Sequence, residues 1–157
     1  MFSIGDKVAH PMHGAGIIED IVEQKMGGVK RDYYLLKLST NSMQVMVPTS
    51  SSVEIGLRPV VDAQVAAEVL DAFHDLAIDP DENWNRRYRE NMLHLKSGDL
   101  MQVAQVVKSL MLREREKGLS TGERKMLCSA KQILISEIVL AQKTSYEVIE
   151  KMIAEAF

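Results

Sequence analysis

The sequence predicts an α+β protein of two domains: a small antiparallel β-sheet or partly open barrel over residues 1–60, then an all-α bundle of about five helices over residues 61–157. Three observations carry this expectation. Before residue 60 the apolar residues come in short β-branched and aromatic runs cut by glycine and proline. From Val61 the apolar period changes to three and four residues, the spacing of one helix face. Helix caps then recur down the second half of the chain. The boundary falls at residues 58–62, where one period gives way to the other.

The predicted strands are DKVAH (6–10), ended by Pro11, then GIIEDIVEQ (16–24), RDYYLLKLS (31–39) and MQVMVP (43–48), which alternates up to Pro48. Gly14 and Gly16, Gly27-Gly28, Asn41-Ser42 and Gly56 with Pro59 punctuate them as turns. A sheet this small buries little core by itself, so it should pack against a partner.

Val65, Val69, Phe73 and Leu76, with Ala66, Leu70 and Ala77 beside them, give the first amphipathic helix, stopped by Asp79-Pro80. A second helix runs from near Asn83 to Lys96 and ends at Ser97-Gly98. Asp99 caps a third, whose stripe is Leu100, Val103, Ala104, Val107, Leu110 and Met111, up to Gly118. Ser120 and Glu123 have capping-box spacing, in which the serine accepts from a free amide and the glutamate returns the bond. They open a fourth helix through Met126, Leu127, Ala130, Ile133, Leu134 and Ile138, and Thr144 with Glu147 repeat the device before a last helix with Val148, Ile149, Met152 and Ile153. Cys128, the one cysteine, has no intramolecular disulfide partner and is expected as a small apolar residue on the packed face of the fourth helix.

Composition fits a folded soluble protein, with 46% apolar and 26% charged residues. No apolar run approaches the roughly 18 residues that span a bilayer, and the start MFSIGDKVAH lacks a basic n-region followed by an apolar stretch. A cytoplasmic protein without membrane association is expected.

The net charge of −3 is unevenly spread. Residues 1–60 balance, residues 61–83 hold seven acids and no base, and residues 84–132 hold eleven Lys/Arg against five Asp/Glu, a local net of +6. A polyanion within a Debye length of about 8 Å responds to that local charge, not to the average. The acidic run reads as a solvated helix face that also repels DNA from one side.

Elements of catalysis are missing. His10 and His13 lie close together, but no neighbouring Cys, His or carboxylate cluster completes a metal set, so neither metal nor cofactor is expected. GAG (14–16) lacks the wider glycine spacing and following helix of a phosphate-binding loop, and there is no GxSxG elbow. The chain reads as a non-enzyme.

NWNRRYREN (83–91) opens the basic segment with the single tryptophan. Trp84, Tyr88, Met92 and Leu95 fall on one helical stripe, so Trp84 reads as core. It also stands at the N-terminal end of that stripe beside Arg86, Arg87 and Arg89. Arginines grip phosphate by paired hydrogen bonds, and an apolar ring can wedge between base steps. Arg124 and Lys125 extend the basic surface if the helix ends converge. Periodicity leaves both roles of Trp84 open. As a core residue it suits an adaptor whose helical half binds another protein; as a wedge it suits weak, salt-sensitive, nearly sequence-independent DNA contact.

GDKVAHPMHGAG (5–16), VMVPT (45–49), NWNRRYRENMLHLKSGDL (83–100) and KGLSTGERKMLCSAKQILISEI (117–138) together resemble the CarD family of bacterial transcription regulators over nearly the whole chain. The resemblance implies a Tudor-like first domain that binds the RNA polymerase β subunit, through positions that include Gln24, Met46, Val47 and Pro48. It implies a helical domain whose tryptophan, Trp84 by position, wedges at the upstream edge of the melted promoter, with Arg86, Arg87, Arg89 and Arg124 as backbone contacts; Lys125 joins them on charge alone. It also implies a regulator that stabilises the open complex; a monomer is expected. Family members often carry basic residues where this chain has Gln24 and Met46, and tyrosine where it has His10.

Overall fold

The structure, a computed structural model, describes residues 1–78 and 83–157. Five antiparallel strands, β1 (Lys7–His10), β2 (Gly14–Met26), β3 (Val29–Leu38), β4 (Gln44–Pro48) and β5 (Arg58–Pro59), form one sheet in the order β4-β3-β2-β1-β5. The expected α+β architecture is therefore present. Four strands lie where the apolar runs placed them. β5, two residues long, gave no run to see.

Gly27 and Gly28 both have positive φ (58° and 81°), the geometry a two-residue hairpin needs to match strand twist, and they join β2 to β3 in register Met26↔Val29. Gly16 answers a closer demand: a Cβ there would lie 2.2 Å from the Lys37 carbonyl oxygen. One face of the sheet buries Val8, Ile18, Tyr34, Leu36, Leu38 and Val47.

A short helix, α1 (Ser52–Ile55), follows β4 and ends at Gly56 in the left-handed region. Five longer helices make up the second half: α2 (Ala63–Ala72), α3 (Trp84–Lys96), α4 (Leu100–Glu116), α5 (Thr121–Gln142) and α6 (Tyr146–Ala156). Asp62, Asn83, Asp99 and Ser120 cap α2, α3, α4 and α5 by accepting from backbone amides. The predicted Asp79-Pro80 stop lies outside the described residues. Two local expectations are corrected. The α6 cap is Ser145, which accepts from Val148 N–H, rather than Thr144. Cys128 is exposed, because the buried stripe of α5 (Met126, Leu127, Ala130, Ile133, Leu134, Ile138) turns it outward.

Sheet and bundle share an interface built on the C-terminal half of α5. Ser136 Oγ accepts from Ala15 N–H of β2 at 2.8 Å, and Ser136 O accepts from Ser39 Oγ at 3.2 Å. One helical step on, Glu137 has no solvent exposure and takes both Arg58 nitrogens, Nη1 at 2.7 Å and Nη2 at 2.8 Å, together with Val61 N–H at 3.0 Å. A bidentate, charge-assisted pair with a third donor compensates a buried carboxylate. The partner that the small sheet requires is thus the chain's own helical half.

Candidate nucleic-acid interface

Burial rises along the α3 stripe from one end to the other. Leu95 is buried, Met92 and Tyr88 are partly buried, and Trp84 is 42% exposed. The stripe that made Trp84 look like core runs off the bundle in its first turn. The indole stacks on Tyr88, with ring centroids 5.0 Å apart and planes 19° from parallel. Its Nε1–H donates to Ser120 Oγ at 3.2 Å. Gly122 faces both rings from the first turn of α5: a Cβ there would lie 3.8 Å from each.

Ser120 does more than cap. Its hydroxyl accepts from Trp84 Nε1 and from Glu123 N–H (3.2 Å) and donates to Glu123 Oε1 at 3.3 Å. One donor and two acceptor positions are thereby used up. Glu123 departs from the expected capping box, since its carboxylate turns to Arg87: Nε donates to Oε2 at 2.8 Å and Nη2 to Oε1 at 3.1 Å. Arg113 Nε lies 3.9 Å from Oε1. Burial acts to raise the Glu123 pKa, but the hydrogen bond and charge of Arg87, the charge of Arg113 and the Ser120 hydrogen bond outweigh it, so the carboxyl is held below its ordinary value.

The expected role of Arg87 is therefore corrected. At 7% exposure, with its guanidinium joined to a buried carboxylate, it fixes α3 to α5 and offers no surface to phosphate. Arg86, Arg89, Arg124 and Lys125 are exposed. At about 100° per residue, Arg86 and Arg89 project from the side of α3 away from the Trp84–Tyr88 stripe. The fold thus joins Trp84 directly to Tyr88, Ser120 and Gly122, while Arg124 and Lys125 follow Gly122 on α5 and Arg86 and Arg89 face away. The sequence shows Tyr88, Ser120 and Glu123 only as stripe, cap and box, and the 36-residue separation of Arg87 and Glu123 hides their connection.

On the sheet, Gln24 pairs with Arg31, Met46 with Leu35 and Pro48 with Tyr33. Alternation puts these residues on the outer face, opposite the core, and Met46 is exposed there at the edge strand β4. Val47 points the other way. It is 1% exposed in the sheet core, so its side chain is not a contact residue, a second correction.

Among the described residues, no group of three or more His, Cys, Asp or Glu side chains is placed to hold a metal ion, and no helix is long and apolar enough to cross a membrane. Residues 2–61 match the family model of the CarD-like/TRCF RID domain, and residues 68–154 match that of the CarD C-terminal domain. The chain is 40% identical over 138 residues to YdeB of Bacillus subtilis (strain 168), spanning 88% of this chain and 90% of that protein, whose designation as a transcription factor is provisional. With two family models side by side across its sheet and its helices, the chain belongs to the CarD family of transcription factors.

Proposed function

We propose that this protein is a non-enzymatic, cytoplasmic transcription regulator that docks on the RNA polymerase β subunit and stabilises the promoter open complex through Trp84. The observation that carries the reading is a large aromatic ring, partly exposed at a helix N-terminus, whose position is fixed by a stack, a hydrogen bond and a buried ion pair beneath them. A side chain ordered before binding loses less entropy when it binds. The outer sheet face, with Gln24, Met46 and Pro48, is the docking surface. Docking raises the effective concentration of a weak DNA contact at the promoter.

Exposed Arg86, Arg89, Arg124 and Lys125 supply sequence-independent attraction to phosphates. Trp84 favours DNA already unstacked at the upstream bubble edge. It therefore stabilises the open state more than the closed one, and such differential affinity is all that can shift the equilibrium.

Trp84→Ala tests this. With the ring 42% exposed, its loss should cost less than the roughly 3–5 kcal/mol of a fully buried tryptophan, while open-complex lifetime under heparin challenge falls to that without the protein. An adaptor with Trp84 as core predicts the reverse: a large loss of stability and, in whatever remains folded, an unchanged promoter lifetime.

A further inference from the structure

A cavity of about 500 Å³ opens where the sheet meets the C-terminal end of α5. Three lysines from three elements stand in its wall: Lys7 of β1, Lys37 of β3 and Lys143, the C-cap of α5. The hydroxyl residues Ser39, Ser42 and Thr144 stand with them, over aliphatic side chains of the sheet and helix. No carboxylate lines the cavity, although acids outnumber bases in the chain. Among the described residues, Lys37 and Lys143 form no ion pair, and Lys7 Nζ donates a long hydrogen bond, 3.4 Å, to Leu140 O.

The backbone marks the same place. Among the described residues, Ser42 (φ 57°) and Lys143 (φ 54°) are the two non-glycine residues in the left-handed region, and both line this cavity. Glycine or asparagine would hold the α5 cap at lower cost than lysine. The Lys143 N–H closes the cap on Val139 O, so the surroundings hold this conformation, and backbone held in such sparsely populated regions gathers at ligand sites.

We propose that this cavity binds a phosphate-bearing small molecule of nucleotide size. Its volume lies in the usual small-molecule range of about 300–1,000 Å³. Three ammonium groups with adjacent hydroxyls, and no carboxylate among the lining residues, suit a multiply charged phosphate, and the aliphatic floor suits a base or other apolar body. The carbonyl end of α5 disfavours an anion, and Lys7 and Lys143 stand there to offset it. A hollow of about 500 Å³ has room for a free phosphate ester of nucleotide size. Since its walls come from both halves of the protein, an occupant ties β1 and β3 to α5 and stiffens the joint between sheet and bundle. This site is separate from the Trp84 surface and does not depend on the transcriptional reading.

Isothermal titration of the full chain with ATP, with inorganic phosphate and with a short DNA duplex, without polymerase, tests the proposal. ATP should bind saturably, with phosphate as a weaker competitor. Lys37→Gln and Lys143→Asn should each weaken ATP binding about 10-fold, the scale of one charge-assisted hydrogen bond. Asparagine keeps the left-handed cap, and unchanged melting of both unliganded variants shows that the fold is retained. Lys151→Gln, a remote and exposed charge change, should leave binding unaltered. The proposal is overturned by the absence of saturable binding to ATP or phosphate, or by an equal loss in Lys151→Gln. Duplex binding that needs Lys37 and Lys143 while ATP binding does not would overturn it too.

Discussion

Glu123→Gln is the most informative single change. Glutamine keeps the size of the side chain and an acceptor for the Ser120 hydroxyl, but removes the charge that neutralises Arg87. Arg87 then stays in a site where it is 7% exposed, with a neutral amide in place of a carboxylate. Breaking one side of a buried ion pair costs roughly 3–5 kcal/mol, and the hydrogen bonds an amide can still accept bring the expected loss to about 3 kcal/mol. For a chain of this length that lowers the melting temperature by about 6–12 °C. A second readout follows from the connection to Trp84: loosening Ser120 and Arg87 frees the indole, so iodide should quench its fluorescence more strongly in the folded variant.

The pH dependence has a fixed sign. The folded-state pKa of Glu123 lies below the unfolded one, so its contribution is complete above the ordinary value of 4.5 and is lost as pH falls through the depressed one. The glutamine variant should lack that loss. Replacing Arg87 and Glu123 together by methionine should recover much of the stability, as apolar replacement of buried pairs often does. A single variant within about 0.5 kcal/mol of the parent, with unchanged quenching, would refute the reasoning, because the pair would then be worth no more than an exposed one.

Two further predictions concern the sheet. His10, buried beside His13 with ring centroids 4.6 Å apart, has its pKa pushed down from 6.5 to about 4 by burial and then by the His13 charge. The unfolded chain therefore binds the extra proton first, so stability should decline by up to about 3 kcal/mol as pH falls from 6.5 to 4, and His10→Gln should flatten that slope in urea titrations. Arg58→Met leaves Glu137 buried without its cation, and should cost roughly 3–5 kcal/mol and expose the sheet–helix joint to limited proteolysis at neutral pH.

Much of the fold was legible because its signals are local. The change of apolar period at Val61, the double glycine before Val29 and the acceptor side chains at Asp99 and Ser120 each act within a few residues. β5 and α1 are too short to develop a period, and Ser145 could not be told from Thr144 as a cap without backbone angles. The site was legible in part. Val47 could have been assigned to the core by alternation from Tyr34 and Leu36, since strand partners share a face. Arg87 lies three residues from Trp84 and four from Asn91, on the inward side of α3, but its charge placed it with its neighbours. Its partner Glu123 lies on another helix, and a count of local charge cannot see a pair closed by folding.

α5 carries Glu123 in its first turn and Glu137 about three quarters of the way along, 14 residues or about 21 Å apart at 1.5 Å per residue. The first anchors the tryptophan and the second anchors the sheet, so one uninterrupted helix acts as a ruler between the proposed polymerase grip and the proposed DNA contact. At 3.4 Å per base pair, 21 Å corresponds to about six steps of duplex. One residue inserted between the two glutamates would lengthen the ruler by under half a base pair yet swing one anchor by about 100° around the axis. In the proposed complex, the position along the promoter at which the indole meets DNA is therefore set by helix phase more than by helix length.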